Sequence, residues 1–140
     1  MWFHRVRVAA ASLVLALAAS AGCGGDGVDP RPASFTFIAT TILAPQCATA
    51  SCHSEIARVA DYRFETVEAA WASLQEMEAL DPAVIGPTGD IGCNPLVMML
   101  LNGPSCAGEA ADLTMPPDAP LPIADVELIE TWLIEGAEYP

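Results

Sequence analysis

Glu65–Leu80 reads ETVEAAWASLQEMEAL, and the placing of its apolar residues decides the fold class. Val67, Ala70, Trp71, Leu74 and Met77 recur at steps of three and four, which puts them on one stripe of an α-helix. Asp81-Pro82 stops that helix, because proline disfavours helical backbone at the residue before it. The same period returns near the end of the chain. Over Ile123–Glu135, Val126, Ile129, Trp132 and Leu133 share one face and acids occupy the other, with Gly136 placed as the C-terminal cap. Upstream, Phe35, Ile38 and Ile42 follow Ser34, a residue suited to an N-cap. They predict a first helix running to about Leu43 and closed by Pro45. Pro95–Leu101 is a shorter apolar run of one or two turns. Asn102–Pro122 is rich in glycine and proline and predicts a long irregular connection. No alternating run is long enough for a strand, and no internal repeat is visible. The expectation is a small all-α domain with long loops.

Length and charge narrow what such a domain can do. The chain has 140 residues, enough for one domain with a tail. Arg5 and Arg7 lie in the first 22 residues, which hold no acid. The remainder carries 3 arginines, no lysine and all 18 acids, a net charge of about −15. Such a surface repels phosphate backbones, so nucleic acid is excluded as a partner. It keeps an apolar domain soluble, and it is also suited to guiding a basic docking partner. About 107 residues follow the tail, many of them in loops, which leaves a thin core. A buried prosthetic group or crosslinks would remedy that.

The first residues read as an address. Met1–Val8 is a short basic start, and Val8–Ala19 is a run of 12 that is apolar apart from Ser12, too short for a permanent membrane span. Ser20-Ala21-Gly22-Cys23 resembles the bacterial lipoprotein signal, in which the cysteine is lipidated and becomes the new N-terminus. Ser20 stands where that motif prefers leucine. The resemblance makes residues 1–22 a signal peptide and 23–33 a flexible tether, with the folded domain over 34–140. A simple secretory signal with Cys23 as a spare thiol is the alternative. Gly24 follows Cys23 where an aspartate would resemble an inner-membrane retention signal, which favours the periplasmic face of the outer membrane.

Export bears on the four remaining cysteines, because thiols outside the cytosol are oxidised or chemically occupied. Cys93 and Cys106, with 12 residues between them, predict a disulfide that stabilises by about 2–4 kcal/mol. Cys47-Ala48-Thr49-Ala50-Ser51-Cys52-His53 predicts something else. Two thiols with a histidine directly after the second form the c-type haem attachment pattern. Its usual spacing has two residues between the cysteines, and here there are four. Two thiols must reach neighbouring vinyl groups of one porphyrin while the next residue puts an imidazole under the iron. Adjacency of Cys52 and His53 meets the second condition, and the extra residues can bulge without moving His53. No other histidine follows the signal segment, so a methionine is the natural sixth ligand, a pairing that gives a comparatively high potential.

Leu113-Thr114-Met115-Pro116-Pro117, then Leu121, then Thr131-Trp132-Leu133-Ile134-Glu135-Gly136-Ala137 resemble the C-terminal half of small c-type cytochrome domains of bacterial lipoproteins. Thr41-Ile42-Leu43-Ala44-Pro45-Gln46-Cys47 is similar to the approach to the haem motif in the same family. The likeness covers both ends of the domain and leaves 56–112 unmatched. It implies an all-α cytochrome c-like fold, one covalent haem c per chain and electron transfer instead of catalysis. Carried over, Cys47 and Cys52 are the thioether anchors, His53 the proximal iron ligand and Met115 the distal one. Met98 and Met99 are expected to fill the core, Met77 sits on its helix stripe, and Trp71 and Trp132 are core or haem-packing aromatics. The redox partner has no signature in the sequence.

The main rival is a haem-free lipoprotein with disulfides Cys47–Cys52 and Cys93–Cys106, acting as a binding or structural module. It leaves His53 and the Met115 loop without a role. A zinc site drawn from Cys47, Cys52, His53, Cys93 and Cys106 fits no paired-knuckle spacing. A hydrolase lacks a nucleophile elbow. A peroxidase-like enzyme needs a displaceable sixth position, which Met115 argues against.

Overall fold

The computed structural model describes residues 29–103, 106 and 114–139, and the described residues are helical with no strand. The signal, Cys23 and most of the tether therefore lie outside them, as does Leu113. No helix among the described residues is long and apolar enough to cross a membrane.

The chain enters through α1 (Phe35–Ile38), a π-helical turn (Ala39–Leu43) and α2 (Ala44–Cys47), which follow one another without a break. The sequence predicted a stop at Pro45, yet the helix runs through it to Cys47. The wide turn explains this. The Ala44 amide reaches back five residues to the Ala39 carbonyl, and Pro45 falls in the first turn of α2, where its missing N–H costs nothing. Thr40 and Thr41 donate their hydroxyls to the Thr36 and Phe37 carbonyls, both at 2.7 Å, a back-bonding that loosens the regular ladder. Ser34 occupies the N-cap position but makes no side-chain capping bond.

α3 (Val67–Glu76) is shorter at both ends than the predicted Glu65–Leu80. Thr66 caps it by accepting from the Ala69 amide at 3.1 Å, and the chain turns away over 77–80. α4 (Pro95–Leu101) is capped by the fully buried Asn94. Its Oδ1 accepts from the Leu96 amide at 3.0 Å while its Nδ2 donates to the Ala79 carbonyl at 2.7 Å, joining the start of α4 to the end of α3. α5 (Ile123–Ile134) ends at Gly136 with φ 106°; the Ala137 amide bonds to the Trp132 carbonyl and that of Gly136 to Leu133. This is a Schellman closure with glycine in the left-handed position.

The helices bury one core, with Phe35, Ile38, Ile42 and Leu43 facing Leu74, Leu96, Leu100, Ile129 and Leu133. Phe35 stacks on Trp132 at 5.1 Å and meets Trp71 edge-on at 5.1 Å, so both tryptophans pack on the first helix. Cys93 and Cys106 form a disulfide that ties the turn Ile91–Cys93 to the chain beyond α4. The last residues read as tether, 29–33, are held: Arg31 pairs with Asp29 and Asp125 and donates to the Ala124 carbonyl at 2.9 Å. These contacts raise the Arg31 pKa further and lower that of Asp29.

Candidate cofactor site

Cys47 closes α2 and begins a loop whose backbone is bonded almost residue by residue. The Cys52 amide donates to the Thr49 carbonyl at 3.0 Å, closing the four-residue spacer into a turn. His53 donates its amide to the Cys47 carbonyl at 3.0 Å, which pinches the neck of that turn and holds His53 beside Cys47. Both cysteines are free and half-buried. Burial, helped by the neighbouring Cys52, pushes the Cys47 thiol up to about 11 from 9.0, so it is uncharged at neutral pH.

His53 is held by more than its backbone. Its Nδ1 lies 2.9 Å from the Val59 carbonyl, and a carbonyl can only accept. The proton therefore sits on Nδ1 and the Nε2 lone pair is free to bind a metal. The Phe64 ring meets the imidazole edge-on at 5.4 Å, and Tyr62 lies at 6.3 Å. The turn that delivers the Val59 carbonyl puts Arg58, Ala60 and Asp61 at φ 45°, 55° and 63°. Three non-glycine residues in the left-handed region within four positions is a strained arrangement, each costing roughly 1–3 kcal/mol. Bonds from Val59 to the Cys52 carbonyl and from Phe64 to the His53 carbonyl hold the turn in place.

Met115 arrives from the far end of the chain, and its amide donates to the Met99 carbonyl at 2.9 Å. Two adjoining cavities result. The outer, about 270 Å³, opens between Cys47, Cys52, His53 and Met115, with Pro116 and Pro117 at its edge. The inner, about 110 Å³, shares Cys47, His53, Val59 and Met115 and is otherwise walled by apolar and aromatic side chains, among them Phe64, Met77, Leu96 and Met99. The four residues predicted to form the site thus border one apolar cavity.

Several lining residues went unread in the sequence, including Val59, Phe64 and Met99. Met99 reads as core in the sequence, yet it lines the cavity. The available signal was α4 itself: PLVMMLL has no polar face, so a helix of that kind must be covered on more than one side. Trp71 and Trp132 border neither cavity.

Among the described residues, the one trio of His, Cys, Asp or Glu donors within 4.8 Å of one another is Asp90, Cys93 and Cys106, and its cysteines are joined to each other. Cys47, Cys52 and His53 do not converge in that way, so they form no ready cage for a bare ion. They suit a larger group that needs anchors spaced along one edge, an imidazole and an apolar envelope. By that test the residues fit a covalently attached porphyrin. Compared with described protein families, with curated proteins and with solved structures, the chain matches none of them.

Proposed function

We propose that the chain is a monohaem c-type cytochrome, an exported electron-transfer protein tethered through a lipid on Cys23 at the periplasmic face of the outer membrane. The observation that carries this reading is the shared apolar cavity. It joins two free thiols and a tautomer-fixed imidazole from one loop to a thioether from the opposite end of the chain. In this reading Cys47 and Cys52 anchor the macrocycle, and His53 and Met115 ligate the iron. When bound, the haem supplies a one-electron couple, which a His/Met pair holds at comparatively high potential.

The protein's own residues do the rest. Val59 keeps the proton on Nδ1 of His53 through both oxidation states and strengthens Nε2 as a donor. Phe64, Leu96 and Leu100 exclude water from the inner wall, favouring the less charged, reduced state. His53 and Met115 would hold the iron in either oxidation state, so little reorganisation would accompany electron transfer. The acidic surface keeps the domain soluble and suits an encounter with a basic redox partner.

The test is the intact mass and reduced-minus-oxidised absorption spectrum of the full chain, expressed in a periplasm with c-type haem maturation. A haem mass that survives denaturation, with a six-coordinate reduced spectrum, is the expected result. A colourless protein lacking the thiol hydrogens of two disulfides would instead establish the haem-free binding module.

A further inference from the structure

We infer that Met99 is a second distal thioether, placed to bind the iron opposite His53 when Met115 is displaced; this rests on the cytochrome reading above. Four methionines lie among the described residues, and they differ in what they pack against. Met77 also lines the inner cavity, but it is 8% exposed and packed into the core cluster. Met98 borders neither cavity, and its carbonyl is taken by the Gly103 amide. Met99 is half-buried, stands outside the core cluster and lines the inner cavity with His53 and Met115. Its carbonyl accepts the Met115 amide, so the two backbones touch where both side chains border the same space.

The supports of the two methionines are unequal. Met99 stands on α4, whose start is fixed by buried Asn94 and by the disulfide at Cys93. Met115 stands on a non-helical stretch beside Pro116 and Pro117. Methionine is unbranched with three rotatable bonds, so a short shift of side chain suffices to present its sulfur. The exchange breaks one sulfur–iron bond and forms another of the same kind. Both donors are neutral, and no proton or electron is transferred.

The experiment compares reduced absorption spectra and carbon monoxide binding of the haem-loaded full chain with three variants. Leucine replaces methionine at nearly constant volume, which keeps the packing. Met115→Leu is expected to retain the six-coordinate spectrum in full, Met99→Leu to leave it unchanged, and the double variant to lose it and bind carbon monoxide freely. A five-coordinate Met115→Leu overturns the inference and leaves the cytochrome reading standing. So does a double variant that stays six-coordinate, or a Met99→Leu single variant that loses the spectrum. Methionine-methyl NMR gives a second readout that needs no double variant. In Met115→Leu the Met99 methyl should take on the strong ring-current shift that Met115 carries in the unaltered chain, and an unshifted Met99 methyl refutes the assignment. A colourless unaltered chain removes the cytochrome reading itself, and this inference with it.

Discussion

The two sides of the cavity are built in opposite ways. The loop from Cys47 to Phe64 holds His53 by its amide, its carbonyl and its ring nitrogen, with an aromatic ring against its edge. Among the described residues, the facing stretch at Met115 has the amide bond to Met99 and two adjacent prolines. The first side accepts three left-handed residues to keep a single carbonyl on the imidazole; the second brings Met115 to a cavity that Met77 and Met99 also line. On the cytochrome reading, a site built this way would fix one ligand and leave the other exchangeable. Rigidity is concentrated where a lost donor has no replacement, since His53 is the sole histidine of the described residues.

The largest expected break in that contrast is His53→Ala. No neighbouring side chain can supply an imidazole, so the six-coordinate spectrum should be lost entirely, where Met115→Leu keeps it. Any retained histidine-type ligation in His53→Ala would count against the pinned-loop account. Next in size is the paired change Cys93→Ser/Cys106→Ser. Removing this crosslink should lower unfolding stability by about 2–4 kcal/mol in denaturant melts. The loss should fall on the α4 side, with amides there exchanging faster while those of the Cys47–Phe64 loop keep their protection. Equal loss on both sides would show that the two are one cooperative unit.

A third test uses the raised Cys47 thiol. In the haem-free chain carrying Cys52→Ser, thiolate at Cys47 should be about 100-fold scarcer at pH 8 than for a thiol of pKa 9.0, given a value near 11. Alkylation should be slowed to match and should accelerate through pH 11. Part of the shift comes from Cys52, so a somewhat lower inflection in this variant is consistent, whereas one at 9 is not. The corresponding stability contribution is present below pH 9 and fades as pH rises towards 11, because the folded state disfavours the charged thiolate. The smallest effect belongs to Ala60→Gly. Glycine relieves a positive φ of 55° at some cost in unfolded-chain entropy, so a net gain of about 0.5–1 kcal/mol is expected. A destabilised variant would mean that the Ala60 methyl packs usefully in the inner cavity.

Where local chemistry spoke for itself, the sequence was readable. The stripes of α3 and α5, the glycine closing α5 and the short run of α4 lie within a few residues of their predicted places, and Cys93 and Cys106 are paired. The segment Cys47–His53 offered its two thiols and imidazole as candidates because they lie within seven residues of the chain, and the structure brings them to one cavity. Three features were hidden. Pro45 reads locally as a stop, and only the π-turn, a property of the turns before it, lets the helix continue. Met99 reads locally as core because hydrophobicity cannot say whether an apolar side chain meets another helix or a cavity. Val59 was the least legible, since its contribution is a backbone carbonyl aimed by the left-handed residues around it, and its side-chain identity carries no trace of that.

The Arg31 clasp has a mechanical consequence. Any pull on the chain from the N-terminal side meets Asp125 and the Ala124 carbonyl at the first turn of α5 before it reaches Phe35. Load is thereby handed to α5, which is seated in the core by Val126, Ile129 and Trp132, and the helix leading to Cys47 is shielded from it.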